Sequence, residues 1–253
     1  MKILVLLIIG ISINFSEGHS QSFLSADETE YFIFDPSNYQ PDNEERSQWI
    51  HQPLGNIKHT SYIRAERGDG QTVILAESNK SASGLVIPVD IDPKEFPLIK
   101  WEWKIEGVLE DGDLTRKDGD DYAARIYITF DYPVSDLGFR DRIKYRAIRT
   151  FTSFDVPTRA LNYIWANKAE KGTIASNPYT DWVKMIAVQS GNDNAGLWKS
   201  EKRNIYEDYR EAFGEEPPNI TGVQIMTDSD NTESSAKAAY GKIIIKKESA
   251  EIQ

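Results

Sequence analysis

Two runs of oxygen-bearing side chains stand out, Asp118-Gly119-Asp120-Asp121-Tyr122 and Thr227-Asp228-Ser229-Asp230-Asn231-Thr232. Carboxylates at i and i+2 in a turn can converge on one hard cation, and Asp228, Asp230 and Asn231 form such a set; a structural calcium is the one inorganic partner this pattern leaves room for, and no organic cofactor is expected. The same residue types also build ordinary turns through hydrogen bonds to their own backbone. Arg125 follows the first run closely, where an aspartate can hold it in a two-pronged ion pair, and Tyr127 comes two residues later. As acid and base, Asp121 and Asp228 would suit glycoside hydrolysis, and Arg125 with Tyr127 would suit a polysaccharide lyase. Other chemistries are excluded by residue type. Without cysteine there are no disulfides, Cys-ligated zinc sites, iron–sulfur clusters or thiol nucleophiles. The chain has three histidines, His19, His51 and His59, and no Gly-rich phosphate loop, G-x-S-x-G elbow or H-E-x-x-H helix.

The elements that must position these residues read mostly as strands, because apolar residues alternate instead of recurring at helical spacing. Over Ala123 to Phe130, Ala124, Ile126, Ile128 and Phe130 fall on one face, and Arg125, Tyr127 and Thr129 on the other. The first face is predicted to be core, so Arg125 and Tyr127 are expected on an open, concave face, beside Asp120 and Asp121. Leu98 to Glu106 alternates Trp101, Trp103 and Ile105 with charged residues. Trp101, Trp103 and Trp165 suit a sandwich interior, and Trp165 also suits the ligand face. Further strands are expected at Gln71 to Ser78, Gly84 to Ile91, Leu161 to Ala166, Val183 to Gln189, Gly222 to Asp228 and Tyr240 to Lys246, the first two joined as a hairpin through Asn79 to Ser83. One amphipathic helix is predicted near residues 205–213: Asn204 caps it, Glu207 completes the box, and Gly214 and Pro217-Pro218 stop it. Arg203, just before the helix, can reach its acids or a ligand. Short strands, polar loops and one helix give an all-β fold, a two-sheet β-sandwich of jelly-roll type, with a closed barrel as the alternative.

The chain has 253 residues and a net charge of -11. That balance leaves no excess of Lys and Arg to neutralise phosphates, so nucleic acid is not an expected partner. Lys2, the apolar run Ile3 to Ile13 and the small polar residues after it form a signal peptide pattern over residues 1–20, which predicts an exported protein, periplasmic or secreted after cleavage. No later stretch has the roughly 20 apolar residues of a membrane-spanning helix, so no membrane anchor is expected. Asp35 to Pro53 and Glu110 to Asp121 read as surface loops. No composition break divides residues 32–246, which are expected to form one domain.

The run Asp118 to Tyr127, the segment Leu161-Asn162-Tyr163-Ile164-Trp165, the segment Trp198 to Gly214 with Arg203-Asn204 and Asp208-Tyr209-Arg210, and Ile225 to Thr232 with Ala239-Tyr240-Gly241-Lys242-Ile243 together resemble the bacterial DUF3047 family. The resemblance spans about Phe32 to Ile245. It implies an exported bacterial protein of unknown function and hands over no catalytic residues. The last two strands are also similar to those of glycan-binding jelly rolls.

Three functions follow as expectations. The first is a binder of a glycan or other cell-envelope ligand on a groove formed by Arg125, Tyr127, Asp120, Asp121, Trp165 and Arg203, since aromatic faces stack on sugars while charged groups pair their hydroxyls or acids. The second is a glycan-active hydrolase or lyase using the pairs named above. The third is a periplasmic structural or assembly partner. The first fits the lack of a recognisable catalytic set.

Overall fold

A computed structural model describes residues 31–151 and 158–248; for residue 140 and residues 147–151 the backbone alone is described. The expected signal peptide lies outside the described residues. Among the described residues thirteen strands and two α-helices follow in order: β1 Tyr31–Phe34, β2 Ile50–Pro53, β3 Ser61–Glu66, β4 Thr72–Asn79, β5 Ala82–Ile91, β6 Leu98–Ile105, β7 Arg125–Phe130, α1 Phe139–Phe151, β8 Ala160–Ala166, β9 Ile174–Asn177, β10 Thr180–Ser190, β11 Lys199–Asn204, α2 Ile205–Phe213, β12 Ile220–Asp228 and β13 Ser235–Lys246.

They form a two-sheet sandwich, as the alternation predicts. One sheet has six strands in the order β11-β6-β13-β4-β3, with β1 also on β13, and the other has seven in the order β2-β5-β12-β7-β8-β10-β9. Pairing is antiparallel except between β8 and β10. The inner faces meet through large aromatics: Trp101 of β6 lies 5.2 Å from Tyr163 of β8, and Trp103 lies 5.8 Å from Trp165, ring centre to ring centre. Ala124, Ile126, Ile128 and Phe130 join this core as expected. Trp165 is wholly buried there, its Nε1 donating to Gly191 O at 3.0 Å. It therefore belongs to the interior and not to a ligand face.

Two expectations about elements are corrected. β4 and β5 do not form a hairpin: β4 pairs with β3 and β13, and β5 with β2 and β12. The chain crosses from one sheet to the other at Lys80-Ser81, with Lys80 in the left-handed region at φ 50. Buried hydroxyls hold that corner. Ser78 Oγ lies 2.6 Å from Ser229 Oγ and donates to Ser81 O at 2.8 Å. The second correction is α1, a helix the periodicity did not reveal. α2 matches its prediction: the Asn204 side chain accepts from Glu207 N at 3.1 Å, and Gly214 closes the helix at φ 74. The apolar face of α2 enters the core through Ile205 and Tyr209.

The outer face of the seven-stranded sheet, expected to be open, is covered. Leu54 and Ile57 pack over Tyr127, Ala160, Val183 and Met226. Leu114 and Tyr122 pack over Ile164, Met185 and Ala187. Leu137, Val134 and Tyr145 surround Trp182, which alternates with the outward Val183 on β10, so that cluster lies apart from this cover. Two segments distant in sequence thus turn a sheet surface into a second layer of core.

Candidate functional site

Arg125 opens β7 on the outer face of the seven-stranded sheet and is wholly buried. Its Nε donates to Asp228 Oδ1 at 2.9 Å, its Nη2 donates to Asp228 Oδ2, and Asp120 accepts through its carbonyl at 2.6 Å and through Oδ1 at 3.4 Å. Nη1 donates to the Tyr127 hydroxyl at 3.0 Å, and the guanidinium carbon lies 4.6 Å from the centre of the Tyr122 ring. Burial opposes the charge, yet Tyr127, Asp120 and the other groups around the guanidinium hold its pKa above the ordinary arginine value. The expected open groove bearing Arg125 and Tyr127 is therefore not what the fold presents. The alternation assigned both residues to the correct face, but segments from elsewhere in the chain seal that face.

Asp121 is equally committed, accepting from Asn231 N at 3.3 Å, Thr232 N at 2.6 Å and Thr232 Oγ1 at 2.7 Å. It caps the turn after β12. Asp120 Oδ2 accepts from Asn177 Nδ2 at 2.8 Å. Desolvation raises the Asp120 pKa, although Arg125 pulls it down. Asp230 is less well served: its Oδ1 is buried and finds no hydrogen-bond partner among the described residues. Its pKa is pushed up to about 6 by burial and then by the Asp121 charge. Four carboxylates thus surround one guanidinium.

Asp121, Asp228 and Asp230 each offer an oxygen, all within 4.8 Å of one another, a spacing that a hard cation such as calcium accepts. Asn231, the third member of the expected set, instead donates its side-chain amide to Tyr179 OH at 3.1 Å, and Asp121 takes its place. Arg203 meets the first of its two expected partners: its Nε donates to Asp208 Oδ2 at 2.9 Å, and that carboxylate also accepts from Tyr163 OH at 2.8 Å. It anchors α2 to the core.

The polar groups that look unfinished lie along the same sheet face. Across three ladders Gln224 of β12 stands opposite Tyr127 of β7, Tyr127 opposite Asn162 of β8, and Asn162 opposite Met185 of β10. Gln224 and Asn162 are wholly buried, yet neither Gln224 Oε1 nor Nε2 has a hydrogen-bond partner among the described residues, and Asn162 Oδ1 has none either. The Asn162 amide nitrogen reaches only Met185 Sδ, at 4.0 Å. The buried Tyr122 hydroxyl also has no hydrogen-bond partner among the described residues. Gly84 makes room for the row, because a Cβ there would sit 1.9 Å from Gln224 Nε2. Two indole N–H groups, of Trp101 and Trp103, are unpaired within the aromatic core itself. Sequence reasoning passed over Gln224 and Asn162. The available signal was a polar amide interrupting an apolar strand at the same parity as Tyr127, as in Val223-Gln224-Ile225 and Leu161-Asn162-Tyr163.

The six-stranded sheet has an open groove of about 330 Å³ on its outer face, with Ile63, Leu75 and Ala239 in its lining and Glu77, Lys104 and Lys237 among its charged residues. Lys104 also lies 5.8 Å from the centre of the half-exposed Trp198 ring, over which Arg67 stacks at 4.6 Å.

The family model described as "Protein of unknown function (DUF3047)" matches residues 47–244, and the chain belongs to that family. A search of curated proteins finds no match. Among solved structures the chain is similar to the family 11 carbohydrate-binding module of the cellulase Lic26A-Cel5E of Clostridium thermocellum, at 11% identity over 88% of this chain and 98% of that one, with a TM-score of 0.44. It is also similar to the xyloglucanase domain of NopAA from Sinorhizobium fredii, at 8% identity over 84% and 95% of the two chains with a TM-score of 0.40, and to arcelin-5 of Phaseolus vulgaris, at 10% identity over 87% and 99% with a TM-score of 0.40. Likenesses this distant say nothing about what this chain binds.

Proposed function

We propose that the protein is a non-catalytic binder of a neutral, polyhydroxylated ligand, a glycan or part of one, admitted to the outer face of the seven-stranded sheet when the covering segment of Leu54 and Ile57 lifts from it. The observation that carries this reading is the buried row of unpaired amides, Gln224 and Asn162, flanking Tyr127. A side-chain amide both donates and accepts, as a sugar hydroxyl does, and the apolar groups around the row suit the C–H faces of a sugar ring. Arg125 is already matched by Asp228 and Asp120, so the row presents no free charge, which favours a neutral ligand over an acidic one. Lys2 and the apolar run after it support action outside the cytoplasm, where glycans of the cell envelope are at hand.

The enzymatic alternatives gain no support from the geometry. The Asp228 carboxylate is taken up by the Arg125 guanidinium and Tyr122 N, and that of Asp121 by Asn231 N and by the backbone and hydroxyl of Thr232, so neither is placed to exchange a proton with a substrate. Tyr127, the candidate lyase base, has its pKa pushed up to about 12 by burial, although Arg125 opposes the rise. A base needs the opposite shift.

The test pairs binding with stability. Buried amides without partners cost roughly 1–3 kcal/mol each, so Gln224→Leu and Asn162→Leu are expected to leave the protein as stable as wild type or more so. Both are expected to abolish binding to neutral glycans, measured on a glycan array and by calorimetry. Variants that are destabilised and still bind would show that the amides serve the fold through buried water.

A further inference from the structure

We infer that the outward stripe of α1 is a docking surface for an anionic lipid membrane. The helix sequence Phe139–Phe151 carries Arg140, Arg142, Lys144, Arg146 and Arg149 against the single acid Asp141, in a chain whose net charge is -11. Its inner side is fixed to the sandwich: Lys144 Nζ donates to Tyr179 O, and the Tyr145 ring lies 6.1 Å from that of Trp182. Phe139, Arg142, Ile143 and Arg146 follow at i, i+3, i+4 and i+7, which places them on one face. Phe139 is 72% exposed and Ile143 53%, and Arg146 is exposed with them.

Phe139 and Ile143 stand exposed side by side on one helix face, and their interleaving with arginines selects the partner. An interfacial helix places its aromatic and aliphatic groups at the boundary between headgroups and acyl chains, while its cations meet anionic headgroups. A soluble polyanion would use the arginines and leave Phe139 and Ile143 idle. The acidic remainder of the chain would be repelled by the same membrane, so docking would turn this helix toward the bilayer. The stripe is separate from the amide row, and neither proposal depends on the other.

Co-sedimentation of the full chain with vesicles of phosphatidylglycerol and phosphatidylcholine, and with vesicles of phosphatidylcholine alone, tests the assignment. The chain is expected to bind the anionic vesicles roughly tenfold or more better than the neutral ones and to be released as salt is raised, because the surface attraction is screened within a Debye length. The double variant Phe139→Ser with Ile143→Ser, and separately Arg142→Gln, should lose this binding with an unchanged circular dichroism spectrum and melting temperature. Leu197→Ser removes an equally exposed apolar group elsewhere and should bind as wild type does. Equal binding to neutral vesicles, no vesicle binding, retention in the double variant, or an equal loss in Leu197→Ser would each overturn the proposal. So would retention on a polyanionic resin without vesicle binding.

Discussion

Asp228→Ala would leave the wholly buried Arg125 guanidinium without the carboxylate that meets both its Nε and its Nη2. Breaking a buried pair from one side typically costs about 3–5 kcal/mol, so urea denaturation is expected to show a loss of that order. A loss of about 1 kcal/mol or less would be the signature of a surface pair and would contradict the burial of this one. Asp230 makes a prediction of opposite sign. Its pKa rises from 3.8 unfolded to about 6 folded, so the folded state holds the proton more tightly. The stability this gives is complete below pH 3.8, is lost as pH rises through about 6, and is absent above that. Asp230→Asn is therefore expected to match wild type near pH 3.5 and to be more stable by up to about 3 kcal/mol at pH 7 in chelator. Identical pH profiles would contradict it. A cation held among Asp121, Asp228 and Asp230 would remove the wild-type penalty, so a melting temperature that rises with calcium, and does so only while Asp230 is present, distinguishes an occupied cluster from a crowded one. At this scale the alternation of β7 made the facing of Arg125 and Tyr127 legible. It could not make their burial legible, because the cover comes from Leu54, Ile57 and Leu114, residues whose approach no local pattern encodes.

Among the elements, legibility followed local chemistry. α2 was readable because Asn204, Glu207 and Gly214 satisfy its terminal backbone groups from within the same short stretch. Asn204→Ala is expected to lower stability by about 1 kcal/mol, and Asn204→Asp, which preserves the capping oxygen, by much less, as read from denaturant midpoints. Equal effects of the two would mean that the cap contributes nothing beyond the docking of Ile205 and Tyr209. α1 lacked such signals: no capping box opens it, its apolar residues face both the sandwich and solvent, and arginines interrupt every turn. The crossing between β4 and β5 was misread for a related reason. The short linker Asn79 to Ser83 between two strand patterns looks the same whether the strands pair with each other or pass into separate sheets, and the buried contact of Ser78 with Ser229 joins positions far apart in sequence. The parallel pairing of β8 with β10 was unreadable too, since β9 between them is too short and mixed to announce the turn back.

At the scale of the whole molecule, the path of the chain predicts how it unfolds. Consecutive strands repeatedly change sheets: β4 passes to β5 and β12 to β13 across the sandwich, and β6 and β7 also lie in different sheets. Neither sheet can be built from a continuous stretch of sequence, so neither can fold ahead of the other as an independent unit. Their inner faces share one aromatic core, with Trp101 and Trp103 contributed by the six-stranded sheet and Tyr163 and Trp165 by the seven-stranded one. Opening either sheet exposes those rings and removes the burial that holds the other. Loss of strand signal in far-UV circular dichroism and loss of the buried-tryptophan fluorescence are therefore expected to coincide in one urea transition with one midpoint. The outer layer over the seven-stranded sheet is the place where this could fail, because its two covering segments rest on the sheet through side-chain packing. An exposure of Tyr122 in ultraviolet difference absorbance that precedes the loss of strand signal, and that disappears in Tyr122→Phe, would show the cover lifting from an intact sandwich. A single shared midpoint would show that the cover and the sandwich stand or fall together.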